Sequence, residues 1–68
     1  MTQADQIRTW LRCLHRERPA RSAHALAARA SAVPDHRLTK NFRQLRWEAR
    51  VALAILAIRQ ETEHAEND

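Results

Sequence analysis

Glycine and tyrosine are absent from this sequence of 68 residues, which also has only one cysteine, two prolines and three aromatic residues. Tight hairpin turns of types I′ and II′ depend on residues that adopt positive φ, glycine above all, so antiparallel β structure is not expected. The commonest residues are alanine, arginine and leucine, all of which favour helices. The composition therefore predicts an all-α protein.

The single cysteine, Cys13, excludes an intrachain disulfide. A chain of this length buries a smaller share of its surface than a large domain does, so its stability is marginal unless something reinforces the core. Oligomerisation is the common reinforcement that remains. An unpaired thiol also fits a reducing compartment, so we expect the protein to lie in the cytoplasm. We expect one helical domain over residues 1–68.

The sequence contains no segment typical of export or of membrane insertion. The N-terminus (MTQADQIR) carries Asp5 and other polar residues where a signal peptide would need an apolar stretch. The longest apolar run, VALAILAI over residues 51–58, is far shorter than the roughly 20 residues that span a bilayer. We expect a soluble protein with no membrane partner.

The residue patterns of common catalytic and metal sites are missing as well. There is no glycine-rich phosphate loop and no HExxH motif. Cys13 and His15 would lie about 200° apart on a helix, out of mutual reach. The histidines are scattered over separate segments, at positions 15, 24, 36 and 64. We expect no enzymatic activity, no catalytic residue, no metal and no cofactor.

Capping residues divide the chain into two short helices and one long helix. Thr2 followed by Asp5 resembles a capping box and predicts a helix over about 3–17. Ser22 can cap a second helix over about 22–32, whose separate existence is open because its alanines anchor it weakly. Pro34 and the N-cap candidate Asp35 predict a third helix over 35–63, with an acidic, frayed tail at 61–68.

The long helix carries apolar residues along two opposite lines. A first line, expected to face the core, contains Leu38, Phe42, Leu45, Ala49, Ala52 and Leu56. The line opposite to it contains Trp47, Val51, Ala54 and Ile58. Since so short a chain cannot cover both lines, we expect a helical homodimer. Its predicted interface consists of Trp47, Val51, Ala54, Ile55 and Ile58.

The net charge of +4 is concentrated in the middle of the chain. Residues 19–50 contain seven basic and two acidic residues, whereas residues 51–68 contain one arginine and four acidic residues. This distribution favours an acidic partner. An aromatic ring among guanidinium groups can bind such a surface by charge and stacking. The predicted partner-binding residues are Lys40, Arg43, Arg46, Trp47 and Arg50. Two alternatives remain open for Trp47: burial in the dimer interface, or a place in neither interface.

A second interpretation is DNA binding. The stretch LAARASAVPDHRLTKNF resembles a helix-turn-helix motif, with alanines in its first helix and Val33 and Pro34 in the turn. The turn lacks the usual glycine, and the proposed recognition helix is long. The residues that would contact nucleic acid are His36, Arg37, Thr39, Lys40 and Asn41.

The terminal segment LTKNFRQLRWEARVALAILAIRQ, together with the small size and the all-helical plan, resembles small early proteins of temperate phages that disable host regulators. Among these, the chain resembles phage anti-activators that block a quorum-sensing transcription factor. The resemblance implies a homodimer without enzymatic activity that binds an activator in the host cytoplasm. It carries no diagnostic motif, so no functional residue is transferred. The expected function is that of an inhibitor or anti-activator of a host regulatory protein.

Overall fold

Four helices make up the fold of the described residues. The computed structural model describes the backbone of residues 2–67 and the side chains of residues 2–63. The helices are α1 (Gln3–Glu17), α2 (Ala23–Ser31), α3 (Arg37–Arg43) and α4 (Trp47–Asn67), and the described residues include no strand. The predicted all-α class is confirmed. The expectation of two or three helices is wrong, because residues 44–46 divide the predicted helix over 35–63 into α3 and α4.

The first two helices begin at their predicted caps. The Thr2 hydroxyl accepts a hydrogen bond from the Asp5 backbone N–H at 3.2 Å, and the Asp5 carboxylate accepts one from the Thr2 N–H at 3.3 Å. This is a capping box, in which two otherwise unpaired donors are satisfied reciprocally. The Ser22 hydroxyl accepts from the Ala25 N–H at 3.1 Å and caps α2. Both predicted helices are confirmed.

The turn between α2 and α3 differs from the predicted one. Asp35 adopts a φ of 53°, in the left-handed region that usually favours glycine. The N-cap of α3 is therefore the next residue, His36, whose Nδ1 accepts from the Leu38 N–H at 3.0 Å. The His36 ring also stacks on Trp10, with 5.1 Å between the ring centroids. The prediction that Asp35 would cap this helix is wrong.

The break between α3 and α4 is held by the side chain of Arg50. Its Nε donates to the Leu45 carbonyl at 3.0 Å, and a terminal nitrogen donates to the Arg43 carbonyl. Carbonyls at the C-terminus of a helix lack partners within that helix, so the bond to Arg43 satisfies a group that α3 leaves unpaired. The bond to Leu45 satisfies a carbonyl in the segment that follows. Arg50 thereby stabilises a change of direction that neither glycine nor proline marks.

The core lies where α4 packs against α1 and α2. Leu11, Leu26 and Phe42 are its largest fully buried apolar side chains. Buried alanines of α2 and α4 allow the helices to approach closely, which explains why an alanine-rich α2 is stable with so few large apolar groups. The buried alanines are Ala27, Ala30, Ala54 and Ala57.

The predicted core line is confirmed in α3 and wrong in α4. Leu38 and Phe42 are buried as predicted, but Ala52 and Leu56 are exposed. Because the chain changes direction at residues 44–46, the two helices do not share one line. The buried face of α4 is the one that contains Ala54.

This change removes the original reason for expecting a dimer. Ala54 is fully buried within the single chain, so its assignment to the dimer interface is wrong. Val51 and Ile58 are half-buried against the same core, while Trp47 and Ile55 remain exposed. The chain thus covers by itself much of the line that was expected to need a partner.

The far end of α4 is tied to α1 by charge. The Glu61 carboxylate accepts from Arg12 at 3.1 Å and from Arg16 at 2.8 Å. The backbone of α4 continues to Asn67, beyond the predicted end at residue 63, while Asp68 lies outside the described residues. None of the described helices has an apolar stretch long enough to cross a membrane.

Candidate binding surface

The outer face of α3 carries a row of cations. Arg37, Lys40 and Arg43 are spaced three residues apart, which places neighbouring members of the row on the same side of the helix, and all three are exposed. The opposite side of α3 is buried through Leu38 and Phe42. We call Arg37, Lys40 and Arg43 the basic row. Burial of the inner face thus fixes which way the row points.

The basic row borders an open hollow at the start of α3. The hollow has a volume of about 400 Å³ and is lined by Asp35, His36, Arg37 and Lys40. Asp35 is exposed and forms no ion pair with either cation among the described residues. A carboxylate or phosphate entering the hollow would meet two cations that are not already neutralised.

The distribution of ion pairs separates this surface from the rest of the molecule. The described residues contain three ion pairs, in which Arg8 binds Asp5 while Arg12 and Arg16 bind Glu61. All three cations belong to α1. Among the described residues, no basic side chain of positions 19–50 is paired with a carboxylate. The unpaired positive charge is therefore concentrated around α2, α3 and the start of α4.

The carboxylates that are paired have lowered pKa values. Hydrogen bonding from Arg16 is the main cause that lowers the pKa of Glu61, and Arg12 adds to it against the opposing effect of desolvation. Hydrogen bonds from the Thr2 side chain and backbone lower the pKa of Asp5. Contacts within the fold therefore stabilise both carboxylates in their ionised form.

Two of the predicted partner-binding arginines are engaged within the chain. The Arg43 Nε donates to the Ser31 carbonyl at 2.5 Å, and Arg50 donates to the Ser31 hydroxyl at 3.2 Å. Arg50 is half-buried, and its guanidinium lies 5.9 Å from the centre of the Phe42 ring. Arg50 therefore joins α2, α3 and α4. Arg43 joins only α2 and α3, through one nitrogen, and stays exposed.

The predicted cluster around Trp47 does not form on a single helix. Lys40 and Arg43 belong to α3, whereas Trp47 is the first residue of α4, and Arg46 lies exposed in the segment between them. Trp47 is 43% exposed, and its ring is tilted against His24 of α2 at 6.3 Å between centroids. The arrangement supplies an exposed aromatic ring near the α2–α4 contact.

The predicted nucleic-acid contacts are only partly accessible. Thr39 is 2% exposed, so its assignment to a contact surface is wrong. His36 is exposed, but its ring stacks on Trp10 and its Nδ1 caps α3. Asn41 is half-buried and lines a different cavity. Of the predicted contacts, Arg37 and Lys40 have exposed side chains that are available to a partner.

A neutral cavity that was not predicted from the sequence lies beside the end of α3. Its volume is about 330 Å³, and it is formed between the start of α1, the end of α3 and α4. Three carboxamide side chains and an apolar floor line it: Gln3, Ala4, Ile7, Asn41, Gln44, Leu45 and Leu53. No sequence signal could reveal it, because its walls come from three helices whose relative placement is tertiary.

Within the part of the chain that the structure describes, no three His, Cys, Asp or Glu side chains lie close enough to hold a metal ion. Cys13 is exposed. Comparisons with protein-family models, curated proteins and solved structures found no match.

Proposed function

We propose that this protein is a non-enzymatic module that binds an acidic surface of another protein through α3. The observation that carries the proposal is the basic row, whose exposed cations have no carboxylate partner among the described residues. Charge complementarity of this kind speeds association and selects among partners.

Exposed apolar groups outside the row can add affinity to the charge. Trp47 offers an exposed ring, and aromatic and arginine side chains commonly supply the few contacts that dominate a protein interface. The neutral cavity beyond Asn41 is large enough to receive an apolar side chain, and its carboxamides can hydrogen-bond a peptide backbone. A partner segment with acidic residues beside an apolar anchor matches these features.

The biological role that we propose is inhibition of a host regulatory protein, such as a transcription factor, in the cytoplasm. This part rests on the resemblance to phage anti-activators and on the all-helical plan. A short chain that occupies an acidic surface on an activator can block its action by occlusion, which requires binding but no chemistry. We further propose that the protein acts as a homodimer.

DNA binding is the second candidate, and one observation favours it. Asp35 takes the left-handed conformation in the turn between α2 and α3, where helix-turn-helix motifs commonly place glycine. Arg37 and Lys40 then lie at the start of the second helix of the motif, where phosphate contacts are common. The burial of Thr39 leaves little side-chain chemistry for reading bases.

An affinity pull-down from a lysate of the native host, with and without nuclease, separates the two candidates. We expect one dominant protein to be retained after nuclease treatment and in moderate salt, since apolar contacts resist screening. Recovery of nucleic acid alone would contradict the inhibitor proposal.

Salt dependence of duplex DNA binding completes the comparison. A DNA-binding protein loses affinity steeply as salt rises, with a slope set by the number of phosphates that it neutralises. Fluorescence anisotropy with a labelled duplex measures this slope. If α3 serves a protein partner, we expect only weak binding that disappears near physiological salt.

A further inference from the structure

The outward face of α4 carries a short seam without a partner in the single chain. Glu48, Ala52, Ile55 and Arg59 are all exposed. Their spacing of four, three and four residues keeps them within about 60° of one another on the helix. Leu56 adjoins the seam and is 41% exposed, and Ile55 is 39% exposed. Two large apolar side chains thus lie in solvent between an acid and a base.

This spacing is that of alternating d and a positions in a coiled coil. The opposite face of α4 is filled by Ala54 and Ala57 in the core, so the seam points away from the fold. Apolar residues at such positions are normally covered by a second helix.

The charges select the orientation of that second helix. In a parallel pair of α4 helices, Glu48 would face Glu48 and Arg59 would face Arg59, so like charges would meet. In an antiparallel pair, each a position faces a d position. Ala52 then lies opposite Ile55 of the second copy, and Glu48 lies opposite Arg59 of the second copy. Two-fold symmetry repeats both contacts. The interface then has two apolar layers in its middle and one ion pair at each end.

We propose that α4 pairs antiparallel with α4 of a second copy of this chain, through the seam of Glu48, Ala52, Ile55 and Arg59. The inference rests on the proposed homodimer and specifies its interface. It differs from the interface predicted from the sequence, since Trp47, Val51 and Ile58 lie off this seam. The small side chain of Ala52 permits close approach of the helices, and Leu56 extends the apolar contact at its edge.

Charge reversal tests the interface. Glu48→Arg places two cations opposite each other at each end of the seam, and Arg59→Glu places two anions there, so each variant should be monomeric. The double variant restores opposite charges and should be dimeric. An equimolar mixture of the two single variants should form a heterodimer, because the reversed charges then complement each other. All four positions in the seam are exposed, and circular dichroism checks that each variant is folded.

Sedimentation at micromolar concentration gives the mass of each sample against the single-chain value of 7.9 kDa. We expect twice this mass for the wild type, the double variant and the mixture. A wild type that stays at 7.9 kDa would overturn both the homodimer and this interface. A dimeric wild type that neither reversal dissociates, or a double variant that stays monomeric, would overturn this interface alone. Partner binding by α3 is measured separately, so its failure is distinguishable.

Discussion

Some of the residues that the sequence suggests for binding instead make contacts within the fold. Arg50 connects three helices through its guanidinium, and His36 both caps α3 and stacks on Trp10. Thr39 is buried, and its hydroxyl oxygen has no hydrogen-bond partner among the described residues. An unpaired buried polar group costs stability, so this hydroxyl weakens the core.

Thr39→Val should therefore raise the free energy of unfolding by about 1 kcal/mol, because it replaces the unpaired hydroxyl with a methyl group of similar shape. Chemical denaturation followed by circular dichroism measures the change. Thr62→Val is the matched control, since the Thr62 hydroxyl is exposed and bonds the Ile58 carbonyl at 3.0 Å. It should change stability by less than about 0.5 kcal/mol. A loss of stability in Thr39→Val would mean that the hydroxyl has a partner.

At the scale of elements, the caps of α1 and α2 were predictable, whereas the cap of α3 and the break in the long helix were not. Thr2 and Ser22 cap their helices by accepting hydrogen bonds from residues three positions later, and such short-range signals can be recognised in a sequence. The apolar periodicity from Leu38 to Leu56 assumes one continuous helix. The break depends on Arg50 reaching back to earlier carbonyls and on packing against α2, and both are tertiary effects.

Proline substitution tests the break directly. The Arg46 N–H makes no backbone hydrogen bond in the described part of the chain, so Arg46→Pro should lower stability by less than about 1 kcal/mol. Gln60→Pro, inside α4, should cost about 3 kcal/mol or more. Thermal unfolding of both variants gives the comparison. Equal damage by the two prolines would indicate that one helix runs through residue 46.

At the scale of the whole molecule, acidic and basic charges are sorted by position. The positions of the charged residues in the sequence predicted the basic middle. The structure adds that Glu61 neutralises arginines of α1, while the basic row has no such partner among the described residues. The residues that form the surface were only partly predictable. Lys40 was identified in both interpretations, whereas the inward role of Arg50 and the exposure of the Ala52 face required the tertiary structure.

The pairing of Glu61 predicts an acid-sensitive contact between α1 and α4. Its pKa is lowered in the folded state, so its contribution to stability is present above the unfolded pKa and is lost as pH falls through the folded one. Glu61→Gln should therefore be less stable than the wild type near neutral pH, and the difference should shrink as the pH falls from about 5 to below the ordinary glutamate pKa of 4.5. Urea unfolding across this range measures both curves. A difference that stays constant with pH would contradict the ion-pair assignment.

The most direct test of the α3 surface is the affinity of the captured partner for two matched double variants, measured by isothermal titration calorimetry. Arg37→Ala with Lys40→Ala removes two cations from the basic row and its hollow. Arg18→Ala with Arg21→Ala removes the same charge from exposed positions outside α3. We expect the first variant to bind about tenfold or more weakly, equivalent to about 1.4 kcal/mol, and the second to change affinity less than about threefold. Equal losses in two folded variants would show that net charge, and not the α3 surface, governs binding.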